Sequence, residues 1–455
     1  MEEASKIRES LKEKSREELI DIIELLLPLI DRVKELEKEV ERLKNQNSRN
    51  SSLPPSRDKQ ETKKQTRSLR KKSTRNTGGQ QGHAGRTLKM SKEVDHVVEY
   101  RADQCNHCRE MMSGEDILVE CKQIWDIPPV SLEVTEHRRY KRQCGCCGNW
   151  TSSCFGSELQ GGPPVRYGDR FKNQIAYLWT RQLLPYNRLS EALQVIYGQG
   201  ISEGTIDNII ESKSTQSTDT YEQIIDRIEN SEVVGVDESG CSVKGSKHWA
   251  WTWVTSTYSL IHISDNRGYL TTQKFFPNGF RTAILNSDCW KTHLKTKAKG
   301  HQICIPHLRR ECQGLIQFHR SRWARKLDKV LHEIIKTCRM SKIPRKKKVD
   351  IENQLDKVLS SALSKSAKPI QSLKKRLVRL RNCLTICLYN RKVPPDNNAS
   401  ERAIRMIKLK AKISGTFRSS NGADRFAILR TIVDSAIKQN IHPFEALQNP
   451  SIILN

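Results

Sequence analysis

Between residues 233 and 306 the chain changes from helical to alternating spacing, and acids stand at the breaks. Val233-Val234-Gly235-Val236 is an apolar run closed by Asp237. A run this short, following a helical stretch, predicts a buried strand. Trp249, Trp251 and Trp253 alternate in a second run and so share one strand face. They read as core under a covering helix rather than as a stacking platform for bases. Residues 259–264, 283–287 and 302–305 give third, fourth and fifth strands, and Asp288 directly follows the fourth.

The order is three neighbouring strands, a helix, a strand, a helix, a strand and a late helix. It predicts a ribonuclease-H-like α/β catalytic core over 232–312 and 393–415, within a multidomain α+β chain. Adjacent strand ends would place Asp237 beside Asp288. The late helix opens at Pro395-Asp396-Asn397-Asn398-Ala399-Ser400-Glu401-Arg402. With Asn398 as N-cap, Glu401 falls at N3, where a capping box would use it. Asp396, Asn397 and Asn398 already offer capping, however, and the stripe Ile404, Ile407, Ala411 turns Glu401 toward the sheet. Asp288 has its own plainer role, as cap of a helix starting at Trp290. Glu238 alternates to the other strand face and would replace Asp237 only if the register slipped by one. Three carboxylates in this order suit two Mg²⁺ ions, which activate an attacking oxygen and stabilise a leaving one in phosphodiester chemistry.

The formal charge is +27 over 455 residues, and it is localised. Residues 48–92 hold 13 Lys/Arg against 2 Asp/Glu, and residues 313–392 hold 22 against 5, so the remainder sums to −1. Two segments this biased read as the footprint of a polyanion, here double-stranded DNA. Residues 48–92 are too polar for a core and read as a basic flexible linker. Residues 313–392 read as a basic helical insertion with loops near Pro344 and Pro369. Its densest run is Arg345, Lys346, Lys347 and Lys348.

Within 1–47, Leu19, Leu26, Val33 and Val40 alternate with Ile22, Leu29, Leu36 and Leu43 in unbroken 4-3 spacing. This predicts a leucine-zipper coiled coil pairing subunits into a homodimer or higher oligomer, with a kink at Pro28. The longest apolar stretch, residues 22–30, contains Glu24 and is too short to span a bilayer. Met1-Glu2-Glu3 is acidic where a secretory signal would be basic, so the 14 cysteines belong in a reducing, cytoplasmic setting.

There, Cys105-x-x-Cys108 and Cys144-x-x-Cys147 spell a four-thiolate structural zinc site in a ribbon over 93–160, with Cys146 open as a substitute ligand. Residues 161–231 are helical. Gly198-Gln199-Gly200 followed by Ser202 suggests a helix-turn-helix, although a plain helical hairpin fits equally and the second helix lacks an Arg to read bases. Residues 416–455 read as a C-terminal helical segment.

These motifs together resemble the insertion-sequence 66 family of transposases, over nearly the whole chain. The N-terminal heptads, the segments 50–56 and 79–85, and the two CxxC pairs are similar to its zipper, linker and zinc segment. Val236-Asp237-Glu238-Ser239-Gly240, Ser287-Asp288-Cys289-Trp290 and Pro394-Pro395-Asp396-Asn397-Asn398-Ala399-Ser400-Glu401-Arg402 resemble the strands and helix carrying that family's three acids. His307-Leu308-Arg309-Arg310 resembles its His-x-Arg-Arg element. Cys289-Trp290 and Cys304-Ile305-Pro306 depart from the usual Gly-Tyr and Trp-Ala without touching a carboxylate.

The resemblance implies Asp-Asp-Glu chemistry at Asp237, Asp288 and Glu401, with cleavage of element ends and strand transfer into target DNA. His307, Arg309 and Arg402 would contact the scissile phosphate. Accessory proteins of the same element are further candidate partners, and the setting would be a prokaryotic nucleoid. An inactive zinc-containing DNA-binding regulator and a structure-selective nuclease remain the alternatives.

Overall fold

A computed structural model describes residues 14–46, 88–363 and 367–455. Most of the linker of 48–92, including the segments 50–56 and 79–85, lies outside the described residues. The chain divides into two compact units, Arg67–Gly162 with Ala192–Gly200, and the remainder.

The larger unit is built on a five-stranded sheet. Its strands are β3 (Val233–Val243), β4 (Ser246–Val254), β5 (Ser259–Ser264), β6 (Phe280–Ser287) and β7 (Ala298–Ile303), in spatial order β5-β4-β3-β6-β7. β3, β4 and β5 form an antiparallel meander, while β6 lies parallel to β3 and β7 parallel to β6. The meander follows from short Gly- and Ser-containing turns. The parallel pairs need crossovers, supplied by α6 (Tyr269–Phe275) and α7 (Lys291–Lys295). Residues 302–305, expected as the fifth strand, straddle two elements: β7 stops at Ile303 and Ile305 opens α8 (Ile305–His319).

Each sheet face is covered, which fits the near-continuous apolar runs. On one face Trp251 and Trp253 are fully buried and stack with centroids 5.7 Å apart. They pack in one cluster with Phe276, Phe280, Ile224, Ile228 and Ile432. Trp249 is only half-buried. Ile224 and Ile228 belong to α5 (Thr218–Glu229) and Ile432 to α14 (Ser420–Lys438). Helices expected to stand apart, within 161–231 and 416–455, are thus packed on the sheet. Edge strand β5 is closed by α14: Thr431 Oγ1 and Ser435 Oγ accept the N–H groups of Ile261 and Ser259. This leaves those backbone donors satisfied, where an open edge would invite pairing.

The other face carries the helices between β7 and the late helix α13 (Asn398–Ser414). They are α8, α9 (Arg322–Cys338), α10 (Arg345–Ser360), α11 (Lys368–Arg379) and α12 (Ile386–Tyr389). Leu308, Trp323, Leu327, Leu331, Leu355 and Leu373 join Ile284 and Ile303 of the sheet in one core. The expected boundary at residue 313 therefore falls inside α8. Pro344 is the N-cap of α10, and Pro369 stands in the first turn of α11, where its missing N–H costs nothing.

α1 (Arg16–Lys44) begins at a Ser15–Glu18 capping box and continues through Pro28 as one helix. None of its residues is buried, and Leu26, Leu29, Val33, Leu36, Val40 and Leu43 are each at least 44% exposed. Among the described residues, the remaining α-helices are α2 (Asp169–Thr180), α3 (Tyr186–Tyr197), α4 (Glu203–Gln216) and α15 (Pro443–Gln448). Gly198 takes a left-handed φ of 68° after α3, and Ser202 caps α4 through the Thr205 N–H. Ile206, Ile209, Ile210 and Lys213 of α4 are buried, while Asn208, Glu211 and Ser212 are exposed.

In the smaller unit β1 (Lys141–Gln143) pairs with β2 (Trp150–Ser152). An isolated bridge, Gln104 with Met111, brackets the first CxxC pair, and the interval to the second pair holds no strand before β1.

Candidate active site

One loop sets the helix bearing Glu401 against the strand bearing Asp237, although the carboxylates of Asp237, Asp288 and Glu401 do not all come within 4.8 Å of one another. Asp237 is not at the end of β3 but midway along it. β3 pairs with β6 only through residues 233–235, opposite 284–286, so Asp237 lies just beyond the end of that parallel ladder and Asp288 just beyond the end of β6. Period-2 alternation then sorts the acids. Val234, Val236 and Glu238 share the tryptophan face, while Gly235 and Asp237 face α13.

α13 reaches β3 because the loop before it is tied to β3, to β6 and to the first residue of α8. Asn286 Nδ2 donates to the carbonyls of Pro394 and Asp396, both at 2.9 Å. The Ile305 N–H donates to Pro395 O at 2.9 Å. Asn397 Nδ2 donates to Val236 O at 2.7 Å, and its N–H reaches Cys304 Sγ at 3.3 Å. A Cβ on Gly235 would stand 2.6 Å from Ser400 Oγ and 2.8 Å from Asn397 Oδ1, so glycine is what lets α13 settle on the strand.

Asn397, not Asn398, is the N-cap of α13, and its side chain is spent on β3 rather than on capping. Glu401 is consequently one residue past the capping-box position. Its Oε1 is buried without a hydrogen-bond partner, 3.8 Å from both His307 Nε2 and Arg310 Nη2. The capping role is not taken. Asp288 does turn one oxygen inward: Oδ1 accepts the Trp290 N–H at 2.8 Å, while the side chain stays 40% exposed.

The electrostatics record the convergence. Burial, and then the charges of Glu238, Asp288 and Glu401, push the Asp237 carboxyl up to about 7. Burial, and then Arg310, push the His307 imidazole down to about 4, so it is neutral at pH 7. A buried carboxylate among like charges and an unpartnered Glu401 oxygen are the features a cation would relieve, and an all-oxygen donor set fits a hard divalent ion such as Mg²⁺.

Glu238 has a different task. Burial alone would raise it, but His293 Nε2 at 2.8 Å and Arg267 at 2.9 Å hold it below the usual carboxylate range. Both its oxygens are engaged. Arg267 is itself sandwiched, 4.4 Å from the Trp249 ring and 4.0 Å from the Trp290 ring. His293, 1% exposed, lies 3.8 Å from Asp288 Oδ1. This cluster pins the segment after Asp288. Sequence reasoning misses this cluster: alternation assigns Trp249 to the core, and Arg267 sits in a loop with no motif to mark it.

Other expected contacts are placed differently. Arg309 is held by Asp328 at 2.8 Å and by His332 at 3.0 Å, away from Glu401; its neighbour Arg310 faces the acids instead. His307 is packed against Glu401 with its side chain 20% exposed. Arg402 is exposed on α13. Lys347 pairs with Glu333 at 2.6 Å and Lys348 lies 5.0 Å above the Tyr389 ring, which leaves Arg345 and Lys346 exposed.

The CxxC pairs form two knuckles of identical design. The Cys105 N–H donates to Glu110 O and the Arg109 N–H to Cys105 O; the Cys144 N–H donates to Asn149 O and the Gly148 N–H to Cys144 O. Arg109 and Gly148 both take left-handed φ, 63° and 74°. Backbone N–H groups of Cys108 and His107 lower the Cys105 thiol, and those of Cys147 and Cys146 lower Cys144. Cys146 therefore corresponds to His107, and Cys144 and Cys147 to Cys105 and Cys108. The four sulfurs are not drawn together. Among the described residues, the three donor atoms found within 4.8 Å of one another belong to Cys304, His307 and Glu401.

Fold and site define a multidomain α/β protein with a carboxylate-lined site on its sheet and a separate cysteine-knuckle unit. The chain belongs to the insertion-sequence 66 (IS66) family of transposases: residues 164–425, more than half its length, match the family model for Transposase IS66 family. Residues 102–148, which span both knuckles, match the zinc-finger binding domain of transposase IS66. Residues 3–89 match a family of unknown function (DUF6444). No curated relative matches the chain. No helix among the described residues is long and apolar enough to cross a membrane.

Proposed function

We propose that this transposase cuts and joins DNA at one site formed by Asp237, Asp288 and Glu401, on a ribonuclease-H-like core. The observation that carries the reading is the loop of 394–397, which Asn286 of β6 and Val236 of β3 hold so that α13 packs on the Asp237 side of β3, close enough for the Glu401 charge to raise the Asp237 carboxyl. The strand order β5-β4-β3-β6-β7, with β6 and β7 parallel to β3, supports the core assignment.

Asp237, Asp288 and Glu401 would hold two Mg²⁺ ions, which when bound supply activation of the attacking oxygen and charge stabilisation on the leaving one. The chain's own residues do the rest. Asn286 and Asn397 fix the start of α13 and hence the reach of Glu401. The Glu238–His293–Arg267 cluster, clamped by Trp249 and Trp290, fixes the loop bearing Asp288. Arg310, beside Glu401, offers a cation to the scissile phosphate, with Arg402 exposed on the same helix. No serine or tyrosine nucleophile is required, because water and then a DNA 3′-hydroxyl attack directly.

One zinc ion, held by Cys105, Cys108, Cys144 and Cys147, would join the two knuckles into a structural finger that contacts element ends. α1 would pair subunits through its exposed heptads, bringing two ends together in the cytoplasm, at the nucleoid. The synaptic parts favour strand transfer over simple nuclease action, and three intact acids disfavour an inactive regulator.

Asp237→Asn, Asp288→Asn and Glu401→Gln should each reduce cleavage of the element's flanking ends at least a hundredfold while leaving mobility-shift binding within about threefold, since catalytic groups contribute several kcal/mol to the transition state and little to phosphate contact. Wild-type cleavage by Glu401→Gln would remove that residue from the site.

A further inference from the structure

We propose that Cys304, His307 and Glu401 form a second metal site, selective for a soft divalent cation such as Zn²⁺, which competes with the magnesium pair for Glu401. The binding stands on geometry alone; its effect on cleavage rests on Glu401 being a catalytic ligand.

The three donor atoms lie within 4.8 Å of one another, each from a different chemical class. A tetrahedral zinc site sets its ligand atoms about 3.5 Å apart, so closure asks for movements of about 1 Å. Two of the residues are fixed by one helix. Cys304 is the N-cap of α8 and His307 lies in its first turn, three residues on. The Asn397 N–H already points at Cys304 Sγ from 3.3 Å. Metal binding would release one proton from the Cys304 thiol, and the same N–H and the positive end of a 15-residue helix would offset part of the burial that otherwise pushes this thiol up.

The third ligand arrives from α13. Glu401 Oε1, 3.8 Å from His307 Nε2, is buried without a hydrogen-bond partner, so this pocket holds a polar atom the fold itself does not satisfy. Glu401 and His307 keep 26% and 20% side-chain exposure, which opens a route for the ion and leaves a fourth position toward solvent. The competing cation is Arg310, 3.8 Å from the same carboxylate.

The two sites differ in hardness. Asp237 and Asp288 offer only oxygen and favour Mg²⁺, whereas a thiolate with an imidazole favours Zn²⁺ or Co²⁺. Glu401 Oε1 cannot serve both. Occupation by a soft ion would draw Glu401 toward Cys304 and leave Asp237 and Asp288 one ligand short.

The test uses the full chain with its cysteine knuckles first loaded with zinc, then titrated with Co²⁺. The expected result is one thiolate-bound cobalt per chain, read from a near-ultraviolet thiolate-to-cobalt band and tetrahedral visible bands that saturate at one equivalent, apart from any cobalt held by oxygen ligands alone. Cys304→Ser should abolish the near-ultraviolet band. His307→Ala, at a partly exposed position, should weaken cobalt binding at least tenfold with the fold intact by circular dichroism. Micromolar Zn²⁺ should inhibit Mg²⁺-dependent cleavage by the wild type, and Cys304→Ser, whatever its own rate, should need at least tenfold more. Absence of a thiolate band in the wild type, or its persistence in Cys304→Ser, would overturn the proposal. Failure of the active-site reading shows separately, as magnesium-dependent cleavage retained by Glu401→Gln.

Discussion

Asp237 carries the largest electrostatic strain in the site. A carboxyl whose folded pKa stands near 7, against an ordinary 3.8, holds its proton more tightly folded than unfolded. Stability should therefore fall as pH rises from about 4 through about 7, and stay low above that. Asparagine has no such cost. In chelator, Asp237→Asn should be more stable than the wild type at pH 8, by on the order of 1–3 kcal/mol, and the gap should close toward pH 4. Mg²⁺ should stabilise the wild type at pH 8 and do less for the variant. Thermal melts at the two pH values, with and without Mg²⁺, check this; a variant less stable than the wild type at pH 8 would mean that Asp237 is held by favourable contacts instead.

At the scale of elements, the repeated knuckle sharpens which cysteines matter. Because Cys146 takes the place of His107, Cys146→Ser should keep one zinc per chain, while Cys147→Ser should lose it. Elemental analysis of reduced protein decides, and zinc retained by Cys147→Ser would break the correspondence. The first turn of α10 gives a second test. Lys347 and Lys348 have partners within the protein, so Arg345 and Lys346 are the cations left for phosphate. Replacing those two with Gln should weaken binding to all DNA sequences alike. It should flatten the log–log salt slope by up to about 1.8, at about 0.9 per contact. An unchanged slope would return this turn to a solvated surface.

For the whole molecule, the sheet was legible because its strands are buried on both faces and bounded by polar breaks. Asp237 and Asp288 drew notice because each follows an apolar run, and Glu401 because it opens a helix whose start already offers other caps. What the sequence concealed is what depends on distant contacts. The cap of α13 moved by one residue because Asn397 bonds β3, a partner 161 positions away. Arg310 rather than Arg309 stands beside Glu401 because Asp328 of α9 captures the latter. Arg267 gave no signal because its two tryptophans and Glu238 come from different elements. The helices of 161–231 and 416–455 joined the sheet because Tyr221, Thr431 and Ser435 bond strand β5, which no local pattern announces.

The central claim is that Asp237, Asp288 and Glu401 act as ligands of catalytic metal. A change of metal preference tests this more directly than loss of activity. Asp288 is the most exposed of the three, so Asp288→Cys should fold and bind DNA. A thiolate suits Mn²⁺ far better than Mg²⁺. The account predicts that this variant cleaves element ends at least tenfold faster in Mn²⁺ than in Mg²⁺, beyond any preference of the wild type. Equal cleavage in the two metals would contradict it.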